Sequence, residues 1–544
     1  MKKKTARTLS GFDISIRDWL KSKPYEHSDD RYDRHYLKCC NEVFKIMNPY
    51  KDWFDDGELT RENRKELACM LVSYFEDFIC EIGIWKTFIE YNKELHGYYL
   101  PFYDLSDYDP EYLNVEDIAY LNWHVMTKCL DTRIYAPDHV YVMELAAKVF
   151  VYLEDRIEET PGIDFYEQYL KVTASMDLYE LKDKLFWMST KSYLMGWEFG
   201  AKWEDESVKL VKAYSNQPEM IAPMNYAMTE DFIYSKRSPF AAMNAPEWLS
   251  KLARCDDQTR EVIRQLSQRH QGYYTCTGIT DGHYIFQNIK TEKEYLVVKH
   301  SIKNPLTDRD INNITYIMNL VKWDGDWWLT GMMSGWVMGE QERKKAMNQP
   351  VSQFWAWPEE TQKRLRDSTE KMYHAFTDLF GSPLALFSNR AEFEKANRDF
   401  FQHYTASLGV EPDPDYERRR KEYQELFGGT DILDFSQFPK TDGYGIFFLK
   451  GVGMISLSDI QDIIISQKKK NLTKEEQVDL FYNIVYNTQP EVADYLLERF
   501  GHENFRHPVD ASKIDPYRDR YFYWRFYHPD EFGGHYPMMS EVSM

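Results

Sequence analysis

The stretch Gly272-Tyr-Tyr-Thr-Cys-Thr-Gly-Ile-Thr280, Asp281-Gly282, His283-Tyr-Ile-Phe286 decides how the middle of this chain is read. Two runs rich in β-branched and aromatic residues flank an Asp-Gly pair. Both residues of that pair tolerate positive φ, so the segment predicts a β-hairpin. Tyr295-Leu-Val-Val-Lys-His300 follows after a polar turn. Thr315-Tyr-Ile-Met-Asn-Leu-Val-Lys-Trp323 then meets a second Asp-Gly pair, Asp324-Gly325, before Trp327-Trp328-Leu-Thr330. Two such turns and about five short strands predict a small antiparallel β-barrel. Its module spans residues 257–338 and opens with a short helix at 257–269.

Towards the N-terminus the period changes from two to 3.6, and residues 1–215 predict an all-α domain. The clearest helix runs from about Arg61 to Glu94, where Leu67, Leu71, Tyr74, Phe75, Phe78, Ile82 and Trp85 recur at three- and four-residue steps. Asn114 is a plausible N-cap, with Glu116 and Asp117 well placed for the helix dipole. Further helices are expected at 138–158, 164–174 and 177–212. Pro218, Pro223, Pro239 and Pro246 punctuate residues 216–256, which read as a linker.

Towards the C-terminus, Pro350 and Pro358 mark a second linker at 339–358. An α+β domain at 359–510 follows, with helices at 359–380, 390–406 and 414–427. Gly445-Ile-Phe-Phe-Leu-Lys-Gly-Val-Gly-Met-Ile455 is a hairpin candidate in it. Ser458 with Gln461, and Thr473 with Glu476, form capping boxes. An aromatic-rich arm at 511–544 contains Tyr521-Phe-Tyr-Trp-Arg-Phe-Tyr527. The fold class is therefore α+β: a mainly helical multi-domain protein with a central small barrel and a helical C-terminal part that contains a β-hairpin.

The 544 residues carry 67 basic and 88 acidic side chains, a net charge of −21. Such a surface repels nucleic acid and anionic lipid unless a local basic patch overrides it. Lys290, Lys293, Lys299 and Lys303 supply some positive charge beside the barrel strands. Seven cysteines occur without a Cys-x-x-Cys pair, and Cys39 and Cys40 are adjacent. This usage points to a reducing compartment, and with no signal peptide and no run of ~20 apolar residues the expectation is a cytoplasmic protein off the membrane.

The signatures of common chemistry fail one by one. No Gly-Lys dipeptide occurs, so a phosphate-cradling loop is absent, and Gly331-Met-Met-Ser-Gly335 has the wrong register for a hydrolase elbow. No histidine has Glu three positions before it, and no two are four apart. His502 and His507 read as part of an exposed polar loop, so neither metal nor cofactor is expected. One catalytic candidate is left in the helical region. At ~100° per residue Glu81 projects beside Tyr74 on the apolar stripe, with Asp77 at its edge. An inward carboxylate is costly unless paired, and its pKa rises. His124 shares a helix face with Asp117, Tyr120 and Lys128. The plain alternatives are that Glu81 pairs with an arginine or tyrosine, and that His124 faces solvent.

For binding, Trp327 and Trp328 are adjacent on a strand, so only one can face the barrel core. The other is exposed, covered by a neighbouring domain, or in contact with a ligand. Tyr521, Tyr523 and Trp524 would likewise show rings on both sides of an extended arm.

Tyr32-Asp-Arg-His-Tyr-Leu37 with Asn41-Glu42, Glu66-Leu-Ala68, Tyr74-Phe-Glu-Asp77, Gly83-Ile-Trp85, Lys93-Glu-Leu-His-Gly97 and Leu100-Pro-Phe-Tyr103 resemble an uncharacterised Bacteroidetes family of large cytoplasmic proteins, a domain of unknown function. The resemblance covers about residues 29–130 and implies a bacterial, cytoplasmic setting without any activity. The barrel segment is similar in size and rhythm to SH3-like and PUA-like barrels. The leading expectation is a non-enzymatic interaction or scaffold protein whose partner is another protein. Its rivals are an enzyme built on Glu81, Asp77 and His124, and a nucleic-acid binder acting through the barrel.

Overall fold

The computed structural model describes residues 13–348 and 359–500, apart from 28–29, 51–58, 97, 101–102, 130–136, 138, 239, 242, 308, 410–442 and several positions between 451 and 489. The helix expected at 414–427 and the arm at 511–544 lie outside the described residues. The chain divides into two compact units, Met1–Val337 and Met338–Met544.

The first unit begins with helices α1 (Ile16–Leu20), α2 (Asp30–Met47), α3 (Arg61–Ile79), α4 (Ile84–His96), α5 (Val115–Cys129), α6 (Val140–Glu154) and α7 (Phe165–Tyr169). It continues with α8 (Leu178–Thr190), α9 (Tyr193–Met195), a π-helical turn (Gly196–Gly200), α10 (Ala201–Ala213), α11 (Pro218–Tyr234), α12 (Ala245–Leu252) and α13 (Asp257–Gln265). On α2, Tyr32, Tyr36, Cys40, Val43, Phe44 and Met47 are buried at helical spacing, which turns one face of the helix inward.

The single helix expected from Arg61 to Glu94 is two. α3 stops at Ile79, where the Cys80 N–H bonds Glu76 O (2.8 Å) and the Ile82 N–H bonds Asp77 O (3.0 Å). Glu81 (φ 48°) and Gly83 (φ 94°) take left-handed backbone, and glycine meets that requirement without a Cβ clash. The apolar period runs on through the corner because both helices bury the same side. Periodicity alone therefore could not show the break.

Residues 216–256 were expected to link domains, yet they carry α11 and α12. Pro218 and Pro246 stand in the first turns of these helices, where a missing N–H costs nothing. Asn244 and Glu247 close α12 with a reciprocal capping box. Among the described prolines of this segment Pro223 alone falls inside a helix, and Pro239 lies outside the described residues. In sequence, a proline that starts a helix looks the same as one that breaks it.

The barrel consists of β1 (His270–Ile279), β2 (His283–Asn288), β3 (Glu294–Val298), β4 (Thr315–Trp323) and β5 (Asp326–Trp336), closed in the order β1-β2-β3-β5-β4. All neighbours are antiparallel except β3 and β5, which run parallel at Val297 and Trp327. The order is Greek-key rather than up-and-down. Tyr274, Cys276, Tyr284, Phe286, Tyr295, Val297, Tyr316, Met318 and Leu320 fill its interior at alternate positions. The Asp324-Gly325 turn has positive φ at both residues (49° and 82°), as its hairpin requires. Asp281 and Gly282 do not. There the His283 N–H bonds the Thr280 hydroxyl (3.1 Å), and a side chain helps to close the turn.

The barrel also bonds to the helices of its own unit. Trp323 Nε1–H donates to Met176 O (2.7 Å), the Tyr179 hydroxyl to Ser301 O (3.3 Å), and Arg269 to the Ser235 hydroxyl (3.0 Å).

The second unit contains α14 (Glu340–Asn348), α15 (Glu359–Phe380), β6 (Leu384–Phe387), α16 (Arg390–Ser407), β7 (Tyr444–Leu449), β8 (Gly453–Ser458) and helices Gln461–Ser466 and Pro490–Phe500. The expected hairpin is present as β7–β8, and β6 adds a third strand in the order β6-β7-β8. β7 is buried on both faces. Tyr444, Ile446 and Phe448 pack with Phe376, Phe393 and Phe400 of α15 and α16, whereas Phe447 packs with Ile463, Val492 and Leu496. That double burial explains its unbroken apolar run.

Candidate functional site: buried polar clusters and an exposed helical hairpin

Asp77 is buried, and its carboxylate caps α4. It accepts from the N–H groups of Gly83 (2.6 Å), Ile84 (3.1 Å) and Trp85 (2.7 Å), and from the Tyr193 hydroxyl (2.8 Å). Burial raises its pKa against the lowering effect of those donors. The left-handed corner turns Glu81 outward. Its side chain is exposed and its carbonyl accepts from Arg254 (2.7 Å), so the inward projection expected for it does not occur. His124 is buried rather than exposed. Its ring stacks on Phe240 (centroids 4.1 Å apart), and Nε2 lies 3.9 Å from a Glu198 carboxylate oxygen. Glu198 belongs to the π-helical turn, a feature frequent at functional sites. These three side chains thus have three separate environments: a helix cap, solvent, and an aromatic stack. On the helix of His124, Asp117 accepts from the hydroxyls of Tyr74 (2.6 Å) and Tyr108 (2.7 Å) and from Asn114 (3.2 Å). Burial nevertheless pushes its carboxyl up to about 6.

Two buried ion pairs escaped sequence reasoning. Lys23 pairs with Glu76, which also accepts from the hydroxyls of Tyr32 (2.7 Å) and Tyr166 (3.4 Å). Beside it, Asp33 accepts from Trp19 Nε1–H (2.8 Å) and contacts His27 Nε2 (3.0 Å). The second pair, Lys182 and Glu230, joins α8 and α11 to β5. Lys182 also donates to the Tyr226 hydroxyl (2.6 Å), and the Thr330 hydroxyl donates to Glu230. Burial opposes the charge on Lys182, but Tyr234, Glu230 and Tyr226 outweigh it and raise the pKa. The available signal was a charged residue at a core position of an apolar stripe, as Asp33 and Glu76 are. Read alone, neither names its partner.

The adjacent tryptophans divide as strand geometry requires. Trp327 lies 4.8 Å, ring to ring, from both His270 and Tyr295 on the barrel core. Trp328 points the other way, towards Tyr179 (6.4 Å) and His300 (6.1 Å), and stays partly exposed. The chain itself covers the second ring. Tyr521, Tyr523 and Trp524 lie outside the described residues.

The surface feature of this unit is the pair α10–α11. No residue of α10 is buried, and α11 is buried only from Glu230 onward. The two helices hold each other through Trp203 Nε1–H to the Thr229 hydroxyl (3.0 Å) and Ser207 to Asn225 (2.9 Å). α10 carries Val208 at 52% and Val211 at 49% exposure, and on α11 Tyr226, whose hydroxyl meets Lys182, keeps 39%. Met220, Met224 and Met228 recur at four-residue steps along α11 and are half-buried. Methionine adapts to irregular partners and is over-used at binding surfaces.

Residues 13–282 match the family model described as Protein of unknown function (DUF3843). The match ends at Gly282, between β1 and β2, short of the strands that close the barrel. No curated protein and no solved structure matches the chain.

Proposed function

We propose that this chain, with a family match that names no activity, is a protein-interaction module whose docking element is the α10–α11 hairpin. The carrying observation is a 13-residue helix that buries none of its residues while it exposes two valines. Apolar surface left in water costs ~25 cal/mol per Å², so a partner that covers this face gains what folding left unused. The internal clusters support the same reading. The carboxylates of Asp77, Asp117 and Glu76 are each held by three or more groups of the chain itself. All seven cysteines are unpaired, which fits a reducing, cytoplasmic setting. Affinity capture with wild-type chain and with Val208→Asp tests the proposal. Partner recovery should fall in the variant while its circular dichroism and Tm stay unchanged, and equal recovery removes the hairpin's role.

Nucleic-acid binding through the barrel finds less support. Five-stranded Greek-key barrels that bind oligonucleotides use the outer face of strands 2 and 3 and the loops beside it. Here that face presents His283, Ile285, Gln287, Glu294, Leu296 and Val298, without a Phe, Tyr or Trp ring, and the hairpin turns present Asp281 and Asp324. Lys293 and Lys299 sit over the Tyr295 and Tyr284 rings (5.5 and 5.6 Å).

One observation favours an enzyme. His27 is oriented by Asp33, and its buried Nδ1 has no hydrogen-bond partner among the described residues. An imidazole aligned by a carboxylate is the arrangement of a general base. Turnover on a panel of ester, amide and phosphate substrates that is lost in His27→Gln but kept in Val208→Asp supports this reading. Equal turnover in both variants, or none in the wild type, retires it.

A further inference from the structure

We infer that the end of the barrel where β1, β3 and β5 begin binds a small aromatic carboxylate, held by Lys293, Tyr295 and His270 beside the Trp327 ring. The reading is independent of the hairpin. His270 and Tyr295 both face the barrel interior. His270 stands opposite Leu320 across the β1–β4 ladder and Tyr295 opposite Phe286 across β2–β3, and both of those partners belong to the core. Trp327 lies 4.8 Å from each of the two rings, which are 6.0 Å apart. His270 and Trp327 keep part of their surface in solvent, whereas Tyr295 is 1% exposed. Two polar atoms in this ring cluster lack what a folded interior almost always supplies. His270 Nδ1 and the Tyr295 hydroxyl are buried, yet neither has a hydrogen-bond partner among the described residues. The neighbouring Tyr274 hydroxyl, by contrast, donates to His270 O (3.2 Å). A buried donor left alone is costly, so two within one cluster point to a bound molecule that supplies acceptors.

Electrostatics selects the class of molecule. Burial pushes the His270 imidazole down to about 4, so at pH 7 it is neutral and offers one N–H. Lys293 adds to that shift, and no carboxylate counters it. The Tyr295 hydroxyl, moved up to about 12 by burial, stays a donor and feels no carboxylate either. Glu292 and Glu294 flank Lys293 in sequence, but Glu294 lies on the outer face opposite Gln287. The Lys293 ammonium stands over the Tyr295 ring (5.5 Å), is exposed, and has no ion pair among the described residues. Two neutral donors beside one unmatched cation fit a carboxylate. Trp327, Tyr274 and Tyr295 supply aromatic walls for a planar group attached to it. The mouths of β-barrels are a recurrent place for such ligands.

Fluorine NMR of the full chain with 4-fluorobenzoate and 4-fluorophenylacetate tests the inference. At least one acid should bind saturably. 4-Fluorobenzyl alcohol, which has the ring without the charge, should bind roughly tenfold more weakly. Tyr295→Phe removes only a hydroxyl that has no partner, so it should weaken the acid roughly tenfold and leave Tm equal or higher. Lys293→Met, at the surface, should weaken it roughly threefold to fivefold with Tm unchanged. If neither acid binds at millimolar concentration, the two polar atoms hold water only and the site falls. Binding that Tyr295→Phe and Lys293→Met leave intact places the acid elsewhere and overturns the site too. An alcohol bound as tightly as the acid overturns the carboxylate assignment. A Tyr295→Phe variant with a much lower Tm shows that the hydroxyl is structural, and removes the observation on which the site stands.

Discussion

Helices α3 and α10 belong to one unit and have been put to opposite uses. α3 has 19 residues, ten of them buried, and Glu76 and Asp77 are among those ten. α10 has 13 residues and buries none. Charge on α3 is tolerated because each carboxylate is met by donors within the protein. Charge on α10 stays in water, together with two valines that the described residues leave half exposed. A helix's polarity therefore does not tell where it sits; what decides is whether its polar groups find partners inside.

The contrast can be broken most forcefully at the buried ion pairs. Lys182→Met leaves Glu230 buried without its cation and should destabilise the first unit by about 3–5 kcal/mol, read from denaturant midpoints. A loss below ~1 kcal/mol would show that the pair adds little to the fold. Asp77→Ala orphans three N–H groups at the start of α4 and the Tyr193 hydroxyl. About 2–4 kcal/mol should be lost, and Asp77→Asn, which keeps one acceptor oxygen, should lose less.

Asp117 gives a pH-dependent version. Its carboxyl holds a proton up to about 6 in the folded protein against an ordinary value of 3.8. Between those values the folded state binds the extra proton, so stability falls as pH rises through the window and levels off above it. Asp117→Asn removes the titration. Its stability relative to wild type should climb by at most about 3 kcal/mol across the window, and parallel pH profiles would contradict the assignment. The smallest effect belongs to α10. Val208→Asp should change stability by less than ~0.5 kcal/mol, since the side chain touches little of its own protein. A large loss would show that this face is structural after all.

Much of the fold was legible. The barrel followed from two Asp-Gly pairs and period-two runs, although only Asp324-Gly325 adopts the backbone that the pairs suggested. The helix expected at 359–380 is α15, and α16 differs from its expected range by one residue at the end. Thr473 and Glu476 exchange the two bonds of a capping box (2.8 and 3.3 Å). These features depend on residues within a few positions of each other. The site was less legible. Placing Glu81 on the apolar stripe assumed a helix that continues beyond Ile79. Placing His124 in solvent ignored Phe240, more than a hundred residues away. β6 was missed because four residues carry too little pattern without β7 beside them.

The amino-acid order alone determined where helices and strands lie, which tryptophan neighbours must part, and which chemical signatures are lacking, because period, turn residues and caps act over one or two turns of chain. Tertiary structure decided the rest. It bent the α3–α4 run at Gly83, gave the carboxylate of Asp77 to the next helix, joined Lys182 to Glu230 beside the barrel, and left α10 without a buried residue among those described. Burial, pairing and exposure are properties of two surfaces that meet, and no segment specifies them until its partner arrives.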